Sequence, residues 1–253
     1  MKIAVCVKAV PDAASGRRID PATMRLDRSG DLAVSDFDLH AVEEGLRVRD
    51  AAGEGEVVIV SLGPAGAADP IRKTLAMGAD RSVLVSDDAF AGADLVATAR
   101  ALAGALEREQ ADLVLFGQQS ADGDGACLWA AVAELLHRPV ISQVAELSVE
   151  SGSVTGRRQT ELGYERIRAP LPAVVAVSDA INEPRYPSLK GIMGAKSKPT
   201  STLGASDVGG VSGALTSVLA LAPPPSRGDR RRVADDADAP EAILAFLVEK
   251  RFV

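Results

Sequence analysis

Histidine and cysteine are nearly absent: His40, His137, Cys6 and Cys127 are all there is in 253 residues. No Cys-x-x-Cys pair or His cluster occurs, so a zinc or iron–sulfur centre is not supported. Both cysteines fall in stretches that read as core elements, which predicts buried thiols and no structural disulfide. Aromatics make up only 3% of the chain, so Ala, Val and Leu must fill the interior. No run of 18 or more apolar residues is present, and no membrane-spanning helix is expected. Met1 to Val7 reads as a strand, not as a signal or transit peptide, and a cytoplasmic protein is expected. The net charge of −7 leaves no overall basic field, so nucleic acid is not an expected partner. The Arg-rich run 227–232 follows Pro223-Pro224-Pro225 and precedes Asp235, Asp236 and Asp238, a pattern of a solvated linker. Catalytic signatures are missing too. There is no Gly-x-Gly-x-x-Gly, no phosphate-loop lysine and no Gly-x-Ser-x-Gly elbow, and Glu43-Glu44 reads as a solvated helix face.

What is present is an alternation of short apolar runs and amphipathic stretches. Strands are predicted at 3–7, 57–62, 82–85 and 113–116, with helices over about 37–50, up to Met77, 93–109 and 126–136. Ser35 and Asp36 are placed to cap the first helix, and Gly78 to end the second. This rhythm predicts an α/β fold: a mostly parallel, Rossmann-like sheet flanked by helices. Residues 143–150, 154–160 and 164–168 then read as antiparallel additions, and Val174 to Val177 returns to the core. Beyond Lys198 the pattern weakens. A linker-like stretch over 222–238 leads to an amphipathic helix of about 240–250, carrying Ile243, Leu244, Phe246 and Leu247. Such an extended C-terminal arm either grips another subunit or folds back on its own domain. The predicted domains are 1–200 and 201–253.

Four weak signals fall at carboxyl ends of predicted strands. Cys6 ends the first, near Lys8 and Asp12. Leu62-Gly63-Pro64 ends the second. The loop Gly117-Gln118-Gln119-Ser120-Ala121-Asp122-Gly123-Asp124-Gly125 joins the fourth to the helix beginning Ala126-Cys127-Leu128. Ser35-Asp36-Phe37-Asp38 opens the first helix. In a parallel sheet these ends share one edge, where ligands of open α/β sheets bind. A glycine-containing loop feeding a helix N-terminus favours a phosphate, although Asp122 and Asp124 oppose one and must point away or bind a sugar hydroxyl. A tight strand–helix connection is the other reading.

Residues 182–198, Asn-Glu-Pro-Arg-Tyr-Pro-Ser-Leu-Lys-Gly-Ile-Met-Gly-Ala-Lys-Ser-Lys, follow an apolar strand. Pro184 and Pro187 stiffen the segment and exclude a central strand or helix interior. It reads as an ordered surface loop that either displays Tyr186 and Leu189 for a partner or is an ordinary connection with Leu189 tucked inward.

The loop resembles the recognition loop of the electron transfer flavoprotein β subunit. Further matching pieces stand in order: Cys6-Val7-Lys8-x-Val10-Pro11-Asp12, Ala41-Val42-Glu43-Glu44, Ser61-x-Gly63-Pro64-Ala65, Leu75-Ala76-Met77-Gly78-Ala79-Asp80, Asp112 to Leu115, and Leu171 to Val175 running into Asn182 to Tyr186. The likeness covers roughly residues 1–200. It implies a fold similar to adenine-nucleotide α-hydrolase-like proteins and a heterodimer with an α subunit, which the C-terminal arm would contact. It also implies an FAD held mainly by that subunit. Electrons would pass from acyl-CoA dehydrogenase-type flavoenzymes of fatty-acid β-oxidation to a quinone oxidoreductase. The resemblance places AMP against Cys6, Ser35, Asp36, Phe37, Asp38, Leu62 and residues 117–128. It sets Phe37 near the flavin ring, and Arg185, Tyr186 and Leu189 at the docking surface, with no catalytic residue.

This chain departs from the family pattern at three places. Ser35-Asp36 stands for the usual Asn-Pro, Gly125 to Leu128 for a Thr/Gln-containing segment, and Ala13 for a tyrosine. In electron-bifurcating relatives a second FAD takes the β site, but the Arg-Tyr-Pro-Ser-Leu loop resembles the respiratory group, which favours AMP. The rival classes are an adenine-nucleotide-hydrolysing or synthetase-like enzyme of the same fold and a homodimeric nucleotide-binding stress protein. The first would need more phosphate-handling cations after the first strand than Lys8. The second leaves 182–198 unexplained.

Overall fold

The computed structural model describes every residue except 227–231 and 236. The basic run and Asp236 of the expected linker therefore lie largely outside the described residues. The structure divides into two units, Met1–Ser217 and Val218–Val253.

The first unit is built on a nine-stranded sheet. In chain order its strands are β1 (Lys2–Cys6), β6 (Glu56–Leu62), β7 (Arg81–Val85), β8 (Leu113–Gly117), β9 (Val140–Glu150), β10 (Ser153–Thr160), β11 (Gly163–Pro170), β12 (Ala173–Val177) and β13 (Thr200–Leu203). The numbers β2 (Ala9–Pro11), β3 (Ile19–Asp20), β4 (Arg25–Leu26) and β5 (Leu32–Val34) belong to two small ladders between β1 and the first helix. Spatial order is β11-β10-β9-β12-β8-β1-β6-β7-β13, parallel from β9 to β13, with β10 and β11 added antiparallel. The expected α/β fold with antiparallel additions is thus the observed one.

The strands at the centre carry apolar side chains on both faces because helices cover both. Helices α1 (Asp36–Ala52) and α2 (Ala68–Met77) pack with Ile3, Val5, Val57, Ile59 and Leu115 on one side. Helix α3 (Leu95–Glu109) and helix α4 (Leu128–Leu135) pack with Ala4, Val58, Val60, Val114 and Phe116 on the other. Asp36 and Asp38 sit in the first turn of α1, where the helix dipole favours them, and Gly53 ends it at φ 74°. The Asp94 side chain caps α3 by accepting from Ala97 N at 2.9 Å.

Several expectations need correction. Ser35 stands at the N-cap of α1 but its hydroxyl does not cap the helix; it accepts from Ala121 N at 3.1 Å. Cys127 is exposed and only Cys6 is buried, because α4 begins one residue later and buries just Val132 and Ala133. Glu43 and Glu44 are buried at 3% and 6% exposure, not solvated, since residues 182–185 lie over them. The 182–198 segment contains a helix, α5 (Leu189–Ala195). It starts two residues after Pro187, and Ser188 Oγ accepts from Gly191 N at 3.0 Å to cap it.

The first unit runs past residue 200. β13 bonds along β7, and a 3-10 turn, Ala205–Val208, packs on α3. A four-residue edge strand needs no apolar periodicity, which is why the sequence pattern faded there. In the second unit α6 (Ala239–Glu249) buries no residue, and Ile243, Leu244, Phe246 and Val248 are exposed. No helix among the described residues is long and apolar enough to cross a membrane.

A Cβ at Gly104 of α3 would overlap the backbone carbonyl of Val208. Gly104→Ala is expected to lower unfolding stability by about 1–3 kcal/mol, the usual cost of overpacking. Urea denaturation checks this, and an unchanged midpoint would mean the 205–208 turn does not pack on α3.

Candidate functional site

From β1 the chain builds outward to β6 and β7, then returns to place β8 on the opposite side of β1. The connections that leave β1 and β8 run to opposite faces of the sheet, and crevices of open α/β sheets form at such a point, beyond the carboxyl ends of the strands. A cavity of about 740 Å³ lies there. Its walls come from the ends of β1, β6, β7 and β8, the start of α3, Leu128 and Trp129 of α4, and Arg25 and Arg28 from the excursion between β1 and α1.

Of the expected site residues, Cys6, Asp38, Leu62, Gly117, Gln119, Ser120, Gly123, Gly125 and Leu128 line this cavity. Ser35, Asp36, Phe37, Gln118, Ala121, Asp122, Asp124, Ala126 and Cys127 do not. Ser35 is buried behind the loop and holds it through Ala121. Asp36 is exposed and Phe37 half-buried at the start of α1. Gln118 contributes its carbonyl to Trp129 Nε1 at 3.0 Å. Asp124 takes a positive φ of 50° to turn the loop.

Asp122 is turned away from the cavity. Its side chain is 1% exposed; Lys8 Nζ donates to it at 2.8 Å and Arg28 pairs with its other oxygen. Burial alone would raise its carboxyl, but hydrogen bonds and charge from Lys8 and Arg28 outweigh that and hold it at about 2. Arg28 was not legible in the sequence, because it lies in an irregular stretch that only the β2–β5 ladder folds back. Arg25, Asp87, Phe90 and Asp94 were missed for the same reason: each lines the cavity from a loop or helix start without periodic signal. Trp129 was findable as the lone tryptophan, beside the expected Leu128.

Asp38 is the buried acid of the crevice. Lys8 N donates to it at 2.8 Å. Burial pushes its carboxyl up to about 7, against the Lys8 backbone bond, the Lys8 charge and the Gly117 N–H. Burial and then the Asp38 charge push the Cys6 thiol up as well, so it is held protonated. Gly117 is required by close approach: a Cβ there would meet Asp38 Oδ1 at 2.5 Å and the Phe37 carbonyl.

A second feature stands on the next turns of α1. Arg185 donates to Glu43 through its backbone N at 3.1 Å, Nε at 2.8 Å and Nη2 at 3.1 Å. Asn182 Nδ2 donates to Glu44 and to the His40 carbonyl, both at 3.0 Å. Beyond this base the segment presents Tyr186, Leu189, Ile192 and Met193 at 92%, 76%, 52% and 71% exposure.

Fold and site together define a three-layer, Rossmann-like α/β protein with a crevice at its topological switch point. A family model described as the electron transfer flavoprotein domain matches residues 23–208. Electron transfer flavoprotein subunit beta of Mycobacterium bovis is 37% identical over 99% of both chains. The protein of that name from Thermoanaerobacterium thermosaccharolyticum is 40% identical over 88% of both. A subunit of the caffeyl-CoA reductase–Etf complex of Acetobacterium woodii, CarD, is 36% identical over 100% of both. The chain belongs to the electron transfer flavoprotein β-subunit family, whose role is electron transfer.

The two acids of the crevice titrate in separate windows. Asp38 has a raised folded value, so its contribution to stability is full below about pH 4 and is lost as pH rises through about 7. Asp122 has a lowered value; its contribution is present above about pH 4 and lost as pH falls through about 2. The stability advantage of the native chain over Asp38→Asn is therefore expected to shrink from pH 4 to 7, by at most about 1.4 kcal/mol per unit. Urea melts across that range measure it; an advantage that grows with pH would contradict the assignment.

Proposed function

We propose that this chain is the β subunit of a heterodimeric electron transfer flavoprotein, a carrier and not a self-contained enzyme. It pairs with an α subunit that holds FAD, receives electrons from acyl-CoA dehydrogenase-type flavoenzymes and passes them to a quinone oxidoreductase. The observation that carries this reading is the exposed apolar group Tyr186, Leu189, Ile192 and Met193 on a segment tied to α1. Burying Leu189 against a partner contributes about 1.5–3 kcal/mol, enough to anchor a complex that must also dissociate quickly. The exposed apolar side chains of α6 suit an arm that grips the α subunit.

The crevice fits AMP. Gln119, Ser120, Gly123 and Gly125 face the cavity while Asp122 is held out of it, and Leu62, Phe116 and Leu128 offer apolar walls for a base. Lys8 and Arg28, which a hydrolase would turn on a triphosphate, are both engaged by Asp122. A second reading, FAD in the same crevice, is favoured by the cavity's reach to Asp87, Phe90 and Leu95.

Co-expression with the α subunit, followed by release of bound nucleotides, separates these. FAD plus AMP in equal amounts is expected; two FAD per heterodimer would replace AMP by the second reading. A colourless protein that hydrolyses ATP would overturn the carrier role. Leu189→Ala is expected to slow electron uptake at limiting dehydrogenase with flavin content unchanged, and unaltered uptake would remove the anchor.

A further inference from the structure

Residues 182–187 have no secondary structure of their own. Among the described residues, every hydrogen bond tying them to another element runs to α1, through Asn182 and Arg185. Glu43 is the centre of that attachment. Its two oxygens receive Arg185 N, Nε and Nη2, and also Arg47 Nε at 3.0 Å. Four donors fill the acceptor capacity of a carboxylate. The Glu43 side chain is 4% exposed, so water cannot substitute for a lost donor as it could at the surface. Burial raises its carboxyl, but the Arg185 and Arg47 bonds and the Arg185 charge bring it below its ordinary value. Asp50 takes the far side of the guanidinium at 3.3 Å from both terminal nitrogens.

We propose that the Glu43–Arg185 pair is a clasp that presets the apolar docking group, making both positioning residues for electron uptake: Arg185, expected at the docking surface, turns its guanidinium to Glu43 and Asp50 of α1. The inference rests on reading 186–193 as a docking surface. Arg185 immediately precedes Tyr186, and Leu189 begins α5 four positions on. α5 itself rests on α2: Gly191 in its first turn lies against the Ala76 carbonyl with no room for a Cβ, and Ala195 at its far end is buried. The docking group is thus held from two sides, by the clasp on α1 and by the seating of α5 on α2. Releasing the first leaves 182–188 free to sample other conformations, and partner affinity falls by the fraction of time the bound shape is lost. The fork geometry matters as well as the charge. Lysine at 185 keeps the charge but cannot make the paired Nε and Nη2 bonds.

The test uses the intact heterodimer with Glu43→Gln, Arg185→Lys and Leu189→Ala. Electron uptake is followed against the concentration of an acyl-CoA dehydrogenase, with dithionite reduction as a partner-free control and amide exchange read across 183–193. Glu43→Gln and Arg185→Lys are both expected to raise the half-saturating dehydrogenase concentration about tenfold, for a docking-competent fraction reduced to about a tenth. Maximal rate, flavin content and dithionite reduction stay unchanged, and exchange speeds up in 183–193 but not in 57–62 of β6. Exchange that stays slow in 183–193, or that speeds up equally throughout β6, would overturn the clasp. So would an unmoved half-saturation in Glu43→Gln where Leu189→Ala raises it. Should Leu189→Ala be silent while exchange in 183–193 still rises, the docking reading fails and the clasp survives only as a structural tether, not as a positioning device.

Discussion

The crevice beyond the ends of β1 and β8 is what the rest of the molecule is arranged around. The two strands stay paired to the end of β1, and the chain then leaves them for opposite faces of the sheet, to α1 on one side and α4 on the other, which opens a gap beyond them. Asp38, from the first turn of α1, fills that gap. It accepts the Lys8 amide and lies so close to Gly117 that no side chain fits there. Loss of that carboxylate would leave buried amides unsatisfied at the mouth of the crevice, a cost of about 1–3 kcal/mol per group. Its burial raises its own proton affinity, so the residue that braces the crevice titrates at about 7.

Helix α1 links two features that sequence order keeps far apart. Its first turn braces the crevice through Asp38. Its next turns carry His40, Glu43 and Glu44 to the base of the docking segment, which enters from beyond β12. At the second of these, Glu43 and Glu44 are acids that the sequence pattern assigns to solvent. Acids at buried helix positions are tolerated here because each one meets a donor set: Lys8 for Asp38, Asn182 for Glu44, Arg185 and Arg47 for Glu43.

Charge placement explains how an acidic loop can border a crevice proposed to take a phosphate. Asp122 would repel a phosphate if it pointed inward. Lys8, two residues past β1, and Arg28 from the excursion after it pair with the carboxylate and offset its charge, and the loop turns Gln119, Ser120, Gly123 and Gly125 to the cavity instead. The excursion 9–35 is therefore part of the cavity wall, through Ala9, Arg25, Arg28 and Leu32.

The alternation of β-prone and helical stretches was enough to read the parallel sheet, and the parallel sheet was enough to bring Cys6, Leu62 and Gly117 to one edge. Those are local propensities and a general rule of topology, and they need no knowledge of contacts. The segment 182–198 was likewise marked by its prolines and its unaccompanied Tyr186 and Leu189. What the chain alone left undecided are the pairings between distant charges. Glu43 with Arg185, and Asp122 with Lys8 and Arg28, join residues about a hundred or more positions apart, or a helix face with a loop that no periodicity ties to it. A carboxylate on an amphipathic helix reads as solvated until something polar is laid over it. Whether anything is laid there depends on where β12 ends in space, which is a property of the assembled sheet and not of the sequence around Glu43.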